Sequence, residues 1–157
     1  MDKYQLITKD VDTFDIESEI KSVSPSSLVG FEEVLAYLKR SRAASAFLVM
    51  SGATVFGDLF RNKAYSSKKG FLDGFNAGYD KALRLFKEAK RYSWSNEFTI
   101  ETFENYYKEF SFKYEDAKRN NTSDRNTPVY KEYYYRSFLS ALIDSWVIFT
   151  GKKSRIS

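Results

Sequence analysis

The chain has 157 residues, enough for one domain with a sizeable core, and 43% of them are apolar, including 14 Phe and 12 Tyr. It contains neither cysteine nor histidine, which excludes disulfides, thiolate or imidazole metal ligands, and catalysis by a Cys or His side chain. The net charge is only +4, but residues 1–24 hold six acidic residues against three lysines, so the rest of the chain is basic. We expect an acidic N-terminal arm over residues 1–24 and one helical domain over residues 25–157.

Neither the layout of a signal peptide nor a run of about twenty apolar residues is found in the sequence. The two most apolar stretches, residues 43–57 and 138–151, are shorter and carry polar side chains. We therefore predict a cytoplasmic protein that does not contact a membrane.

Charged residues alternate with uncharged ones along the arm from residue 14 to residue 22, and Phe14, Ile16, Ser18 and Ile20 fall on one side. A period of two predicts an extended segment, either an edge strand or an arm laid along a groove, and the lack of an obvious partner strand favours the arm. Such an arm either folds back on the basic body of the chain or contacts a basic groove of a partner. The second alternative identifies five acidic residues as candidate partner contacts: Asp10, Asp12, Asp15, Glu17 and Glu19.

The Ser24-Pro25 pair is typical of a helix start, and apolar residues at helical spacing follow it. Residues 43–60 are ambiguous. The apolar runs on either side of Gly52 predict either one buried helix or a short β-hairpin over residues 46–56. The helix is the favoured interpretation, and the hairpin, which would make the fold α+β, is the alternative.

Three glycines recur every fourth residue in the next helix, predicted from about residue 66 to residue 91: Gly70, Gly74 and Gly78. Glycine inside a helix costs about 1 kcal/mol relative to alanine, so a strip of three indicates a close contact. The contact is either a crossing with another helix of the same chain or self-association in a homo-oligomer. Asp73 and Asp80 argue against a lipid-facing helix.

The last two helices are the clearest in the sequence. Thr99 is predicted to cap a helix with an apolar stripe formed by Ile100, Phe103, Tyr107, Phe110, Tyr114 and Ala117. A polar loop over residues 120–126 follows, and Thr127-Pro128 then starts a helix that ends at Thr150 before Gly151. The whole pattern predicts an all-α domain of four to five helices with an extended acidic N-terminal arm.

Tyrosines cluster near the start of the last helix, and the candidate partner contacts among them are Tyr130, Tyr133 and Tyr135. Tyrosine rings cover much area at little entropic cost and serve protein partners well. They also stack on the bases of single-stranded nucleic acid. The alternative function, nucleic-acid binding, adds a set of basic residues: Arg84, Lys87, Arg91, Lys131 and Arg136, with Lys39, Arg40, Arg42 and Lys90 beside them.

The chain carries no complete catalytic motif, and the carboxylates that could hold a hard metal ion are more simply helix-start charges: Glu32, Glu33, Glu101 and Glu104. We therefore predict no enzymatic activity, no cofactor and no metal. The favoured hypothesis is a small inhibitor or adaptor that occupies the surface of another protein, such as a phage accessory or counter-defence protein. Nucleic-acid binding and a structural or assembly role are the alternatives.

Overall fold

The computed structural model describes residues 11–55, 64–120 and 127–152. Five α-helices lie in these residues, and no strand is found among them. The helices are α1 (Ile16–Lys21), α2 (Phe31–Val55), α3 (Ala64–Arg91), α4 (Asn96–Arg119) and α5 (Thr127–Phe149), with a 3-10 turn at Pro25–Ser27 between α1 and α2. The all-α prediction is confirmed. None of the helices in this described part is both long and apolar enough to cross a membrane.

The segment predicted to be extended is instead helical over Ile16–Lys21. Asp15 caps this helix, because its carboxylate accepts the Glu17 backbone N–H at 3.1 Å and the Ser18 hydroxyl at 2.8 Å. The prediction was wrong because the alternation is short. Two apolar residues of a period-two pattern that are four apart, Ile16 and Ile20, also share one helix face.

Helix α2 runs unbroken through Val55, so residues 46–55 are helical and the hairpin is wrong for them. Residue 56 lies outside the described residues. The helix begins at Phe31 and not at Pro25, where only the 3-10 turn forms. Between the two, Leu28 is extended and the Val29 N–H donates to the Phe149 carbonyl at 2.8 Å, which anchors the start of α2 to the end of α5.

Helix α4 begins four residues earlier than predicted, because Ser95 and not Thr99 is its N-cap. The Ser95 hydroxyl accepts the Phe98 N–H at 3.0 Å, whereas the buried Thr99 donates its hydroxyl to the Ser95 carbonyl at 2.8 Å. The predicted stripe does face the core: four of its members are buried and the other two pack against them.

Helix α5 lies at the centre of the domain and contacts α2, α3 and α4. Its interface with α3 is the most extensive, and the three glycines of α3 lie along it. A Cβ atom would lie 2.7 Å from the Tyr130 carbonyl oxygen if added at Gly70, and 2.7 Å from that of Phe138 if added at Gly78. At Gly74 it would overlap the Tyr134 carbonyl and the Ser137 hydroxyl.

Each glycine of α3 lies against the backbone of α5, and one turn farther along α3 is one turn farther along α5. The two helices therefore run parallel with their backbones in contact. We call this contact the glycine seam. The glycine strip is therefore covered by α5, and self-association through it would require that helix to leave.

Helices α3 and α5 end in the same way. At the end of α5, the Gly151 N–H donates to Ile148 and the Lys152 N–H to Val147, which is a Schellman motif with glycine in the left-handed conformation at φ 74°. At the end of α3, Ser93 occupies the equivalent position at φ 52°. A residue with a side chain thus adopts a conformation there that glycine adopts without strain.

Candidate functional site

The acidic residues predicted to contact a partner lie on the chain's own cations. Asp12 accepts from Arg136 at 3.0 Å and from the Tyr114 hydroxyl at 3.2 Å, and it lies 3.7 Å from the Lys118 ammonium. Arg136 is buried and also donates to the Tyr114 hydroxyl at 2.6 Å. Asp12, Tyr114 and Arg136 thus form a closed network of hydrogen bonds that joins the N-terminal segment to α4 and α5. Asp10 lies outside the described residues.

The carboxylates of α1 are engaged in the same way. Glu19 accepts from the Trp146 indole at 3.0 Å and from the Lys152 ammonium at 2.8 Å. The Glu17 carboxylate lies 3.3 Å from Lys108, whose pKa is raised by its hydrogen bonds to Glu104 and Glu17.

The Asp15 carboxylate is engaged in the N-cap of α1. The hydrogen bond that it accepts there from the Ser18 hydroxyl lowers the pKa of Asp15. The described part of the arm therefore folds back on the basic body of the chain, which was one of the two alternatives predicted from the sequence.

Two of the three candidate tyrosines are engaged in contacts with α3. The Tyr130 hydroxyl donates to Asp73 at 2.6 Å, and burial together with this carboxylate raises the pKa of the phenol. The Tyr133 ring packs on Phe71 with ring centroids 4.6 Å apart. These contacts attach the start of α5 to α3, so Tyr130 and Tyr133 have a structural role.

Tyr135, the third, lines a groove between the C-terminal part of α4 and the start of α5. The groove has a volume of about 250 Å³. We call it the α4–α5 groove. Its walls are formed by Phe112, Lys113, Asp116, Ala117, Asn120, Lys131 and Tyr135. Three sequence-predicted features thus meet here: the tyrosine cluster, the basic Lys131 and the loop that follows α4.

Among the residues whose burial the structure describes, Phe112 is the most exposed large apolar one, with 68% of its surface accessible to solvent. It is not among the candidate residues predicted from the sequence. The signal was available, because Phe112 lies between the stripe residues Phe110 and Tyr114 and so falls on the outer face of α4. An apolar ring on the face that water contacts has no core to fill and is a candidate for a contact with another molecule.

The charges around this groove are mainly positive. Lys113 lies 3.6 Å from Glu109, and the only carboxylate in the groove wall, Asp116, lies 3.6 Å from Arg119. In the described part of the chain, no carboxylate lies within ion-pair distance of Lys131. Exposed pairs of this kind contribute little energy, so Lys113 can exchange Glu109 for an incoming anion, and Lys131 can bind one without giving up an ion pair.

The basic residues of the nucleic-acid alternative do not form one surface. Arg136 is buried against Asp12, and Lys131 faces the α4–α5 groove. The remaining three, Arg84, Lys87 and Arg91, are exposed on α3.

Arg42 on α2 pairs with Asp80 at 3.1 Å. A second, shallower depression lies farther along α2 and α3, where Lys39, Arg40 and Lys90 come together.

No group of three or more metal-ligating side chains is found in the described residues. The buried Tyr79 also donates to a carboxylate, with its hydroxyl 2.9 Å from Asp144 and 3.2 Å from Ser45. Burial and the Asp144 charge raise its pKa, so the hydroxyl stays protonated and acts as a structural donor.

In comparisons with known proteins, no family model, no curated protein and no solved structure matched this chain.

Proposed function

We propose that this chain is a non-enzymatic binding module that docks onto another protein through the α4–α5 groove. The observation that carries the proposal is the exposure of Phe112 at the edge of a groove that also contains Tyr135. Large rings beside a concave surface are the side chains that most often dominate the energy of protein interfaces. In that role the chain acts as a small inhibitor or adaptor.

The lysines of the groove define the partner further. Lys113 and Lys131 flank the exposed ring, so a complementary segment places an apolar side chain in the groove and carboxylates at its rim. The acidic N-terminal segment is not part of this proposal, because Asp12, Glu17 and Glu19 are paired within the chain. Its contacts support a role in holding the fold.

Capture experiments with the tagged full chain test the proposal. The wild type, F112A and F98A are each incubated with bacterial lysate, with and without nuclease. Phe98 is the matched control because it is also an exposed ring on α4, with 48% of its surface accessible, but it lies at the other end of the helix.

We expect a protein that is captured by the wild type and by F98A, resists nuclease and is lost with F112A. Once that protein is purified, F112A should weaken its affinity by roughly tenfold or more. Equal capture by F112A would contradict the groove as the docking site. Capture that disappears on nuclease treatment would favour the nucleic-acid alternative.

A further inference from the structure

A second surface lies between α2 and α3, away from the α4–α5 groove. It is a shallow depression of about 510 Å³ lined by Glu32, Leu35, Ala36, Lys39, Arg40 and Lys90. None of these residues belongs to the α4–α5 groove, and the described residues form no contact interface between α2 and α4. The two surfaces can therefore act independently.

Positive charge dominates this depression, since it has three cations and one carboxylate. The Glu32 carboxylate lies 3.5 Å from the Lys90 ammonium, but the Glu32 side chain is 87% exposed, so water screens the pair. In the described part of the chain, no carboxylate lies within ion-pair distance of Lys39 or Arg40. These two cations are available to an anion from outside.

The depression also offers flat surfaces. The Arg40 guanidinium lies 4.4 Å from the centroid of the Tyr37 ring, which holds the guanidinium plane in place. Leu35 and Ala36 give the floor an apolar part. Guanidinium planes and aromatic rings are the surfaces on which unpaired bases stack.

We infer that this depression binds single-stranded nucleic acid, with backbone phosphates at Lys39 and Lys90 and a base against Arg40. An extended polyanion fits better than a single small anion, because the cations come from two helices and surround an open surface. The base accounts for the apolar floor, which a bare phosphate would leave unused.

Fluorescence anisotropy of a fluorescein-labelled single-stranded oligonucleotide, titrated with the full chain at several salt concentrations, tests the inference. The variant K39Q/R40Q should bind roughly tenfold more weakly at low salt. Its plot of log affinity against log salt should be shallower by about 0.7, the value for one lost phosphate contact, that of Lys39, on a single strand. The variant K113Q/K131Q removes the same charge from the α4–α5 groove and should bind like the wild type.

A third variant, E32Q, predicts a change in the opposite direction. Removing this carboxylate frees Lys90 and should tighten binding roughly two- to fivefold. A gain of affinity cannot come from misfolding. An acidic peptide with the same label and the same charge as the oligonucleotide should bind more weakly, because it has no bases to stack.

Three results would overturn the inference: wild-type affinity in K39Q/R40Q, no gain in E32Q, or equal binding of the acidic peptide. None of them bears on the proposed protein partner, because K39Q/R40Q leaves the α4–α5 groove intact. Capture of that partner by K39Q/R40Q separates the failure of one idea from the failure of the other.

Discussion

The Arg136 guanidinium donates to the Asp12 carboxylate at 3.0 Å, and this contact joins a buried cation on α5 to a residue that precedes α1. Only 8% of the Arg136 side chain is exposed, whereas Asp12 is 45% exposed. The carboxylate therefore compensates a charge that water cannot reach. Removing it should cost more than removing a carboxylate from a surface pair.

We expect D12A to lower the free energy of unfolding by about 1–2 kcal/mol, measured by urea denaturation. The matched control is D116A, because Asp116 and Arg119 form a pair in which both side chains are more than half exposed. That variant should change the free energy of unfolding by less than about 0.5 kcal/mol. Equal effects of the two substitutions would show that the buried position of Arg136 adds nothing.

The glycine seam predicts a large effect from a single methyl group. In G74A the new Cβ would overlap the Tyr134 carbonyl and the Ser137 hydroxyl, so α3 and α5 must move apart. The gain of about 1 kcal/mol in helix propensity should be outweighed, with a net loss of about 1–3 kcal/mol. Thermal unfolding followed by circular dichroism measures this loss.

Gly30 provides the control for the seam, because nothing lies within 4 Å of a Cβ added there. It immediately precedes α2, and its carbonyl accepts the Val34 N–H. The variant G30S should therefore leave the melting temperature unchanged or raise it slightly, since serine is a good N-cap. A G74A protein as stable as G30S would mean that the backbones of α3 and α5 are not in contact.

Ser93 predicts a stabilising substitution. Its φ of 52° lies in the left-handed region, where a Cβ is strained and glycine is not. We expect S93G to raise the free energy of unfolding by about 0.5–1 kcal/mol in urea denaturation. S22G is the control, because Ser22 ends α1 at φ −94° and gains nothing from glycine. Destabilisation by S93G would indicate that the serine side chain itself is needed.

The buried tyrosines predict a loss of stability at alkaline pH. Burial raises the pKa of Tyr79, Tyr107 and Tyr114 in the folded state, whereas their unfolded pKa is about 10. Above that pH the unfolded chain releases protons that the folded chain retains, so the free energy of unfolding falls as pH rises. The fall approaches about 1.4 kcal/mol per pH unit for each such tyrosine.

Tyrosinate absorbance measures this effect directly. At pH about 11, fewer than the 12 tyrosines should be ionised in the folded protein, and the rest should ionise only as helicity is lost. Complete ionisation of all tyrosines with the helices intact would contradict the burial of these hydroxyls.

The local pattern of the sequence was enough to predict most of the helices. The stripe of α4 predicted which of its rings are buried, because a helix that packs on one side repeats its apolar residues every three or four positions. The pattern failed at Ile16, because a short alternation of apolar residues is compatible with both an extended segment and a helix. It also failed at Thr99, since Ser95 is an equally good cap.

The candidate site was less accessible to sequence reasoning. The tyrosine cluster was identified, but its members differ in role according to their neighbours on other helices: Tyr130 faces Asp73, whereas Tyr135 faces the α4–α5 groove. The pairing of Asp12 with Arg136 joins residues 124 positions apart. No periodicity encodes such a contact, because it depends on how α4 and α5 pack beneath the N-terminal segment.

The parallel contact of α3 with α5 also constrains the order of events during synthesis on a ribosome. Helix α3 is complete before α4 has been made, and its glycine face lacks the helix that covers it until α5 emerges. A nascent chain therefore carries α3 with its weakest helical residues uncovered and much of the core still open. Only after α5 has been made can it pack beside those glycines and complete the most extensive helix–helix interface of the described fold.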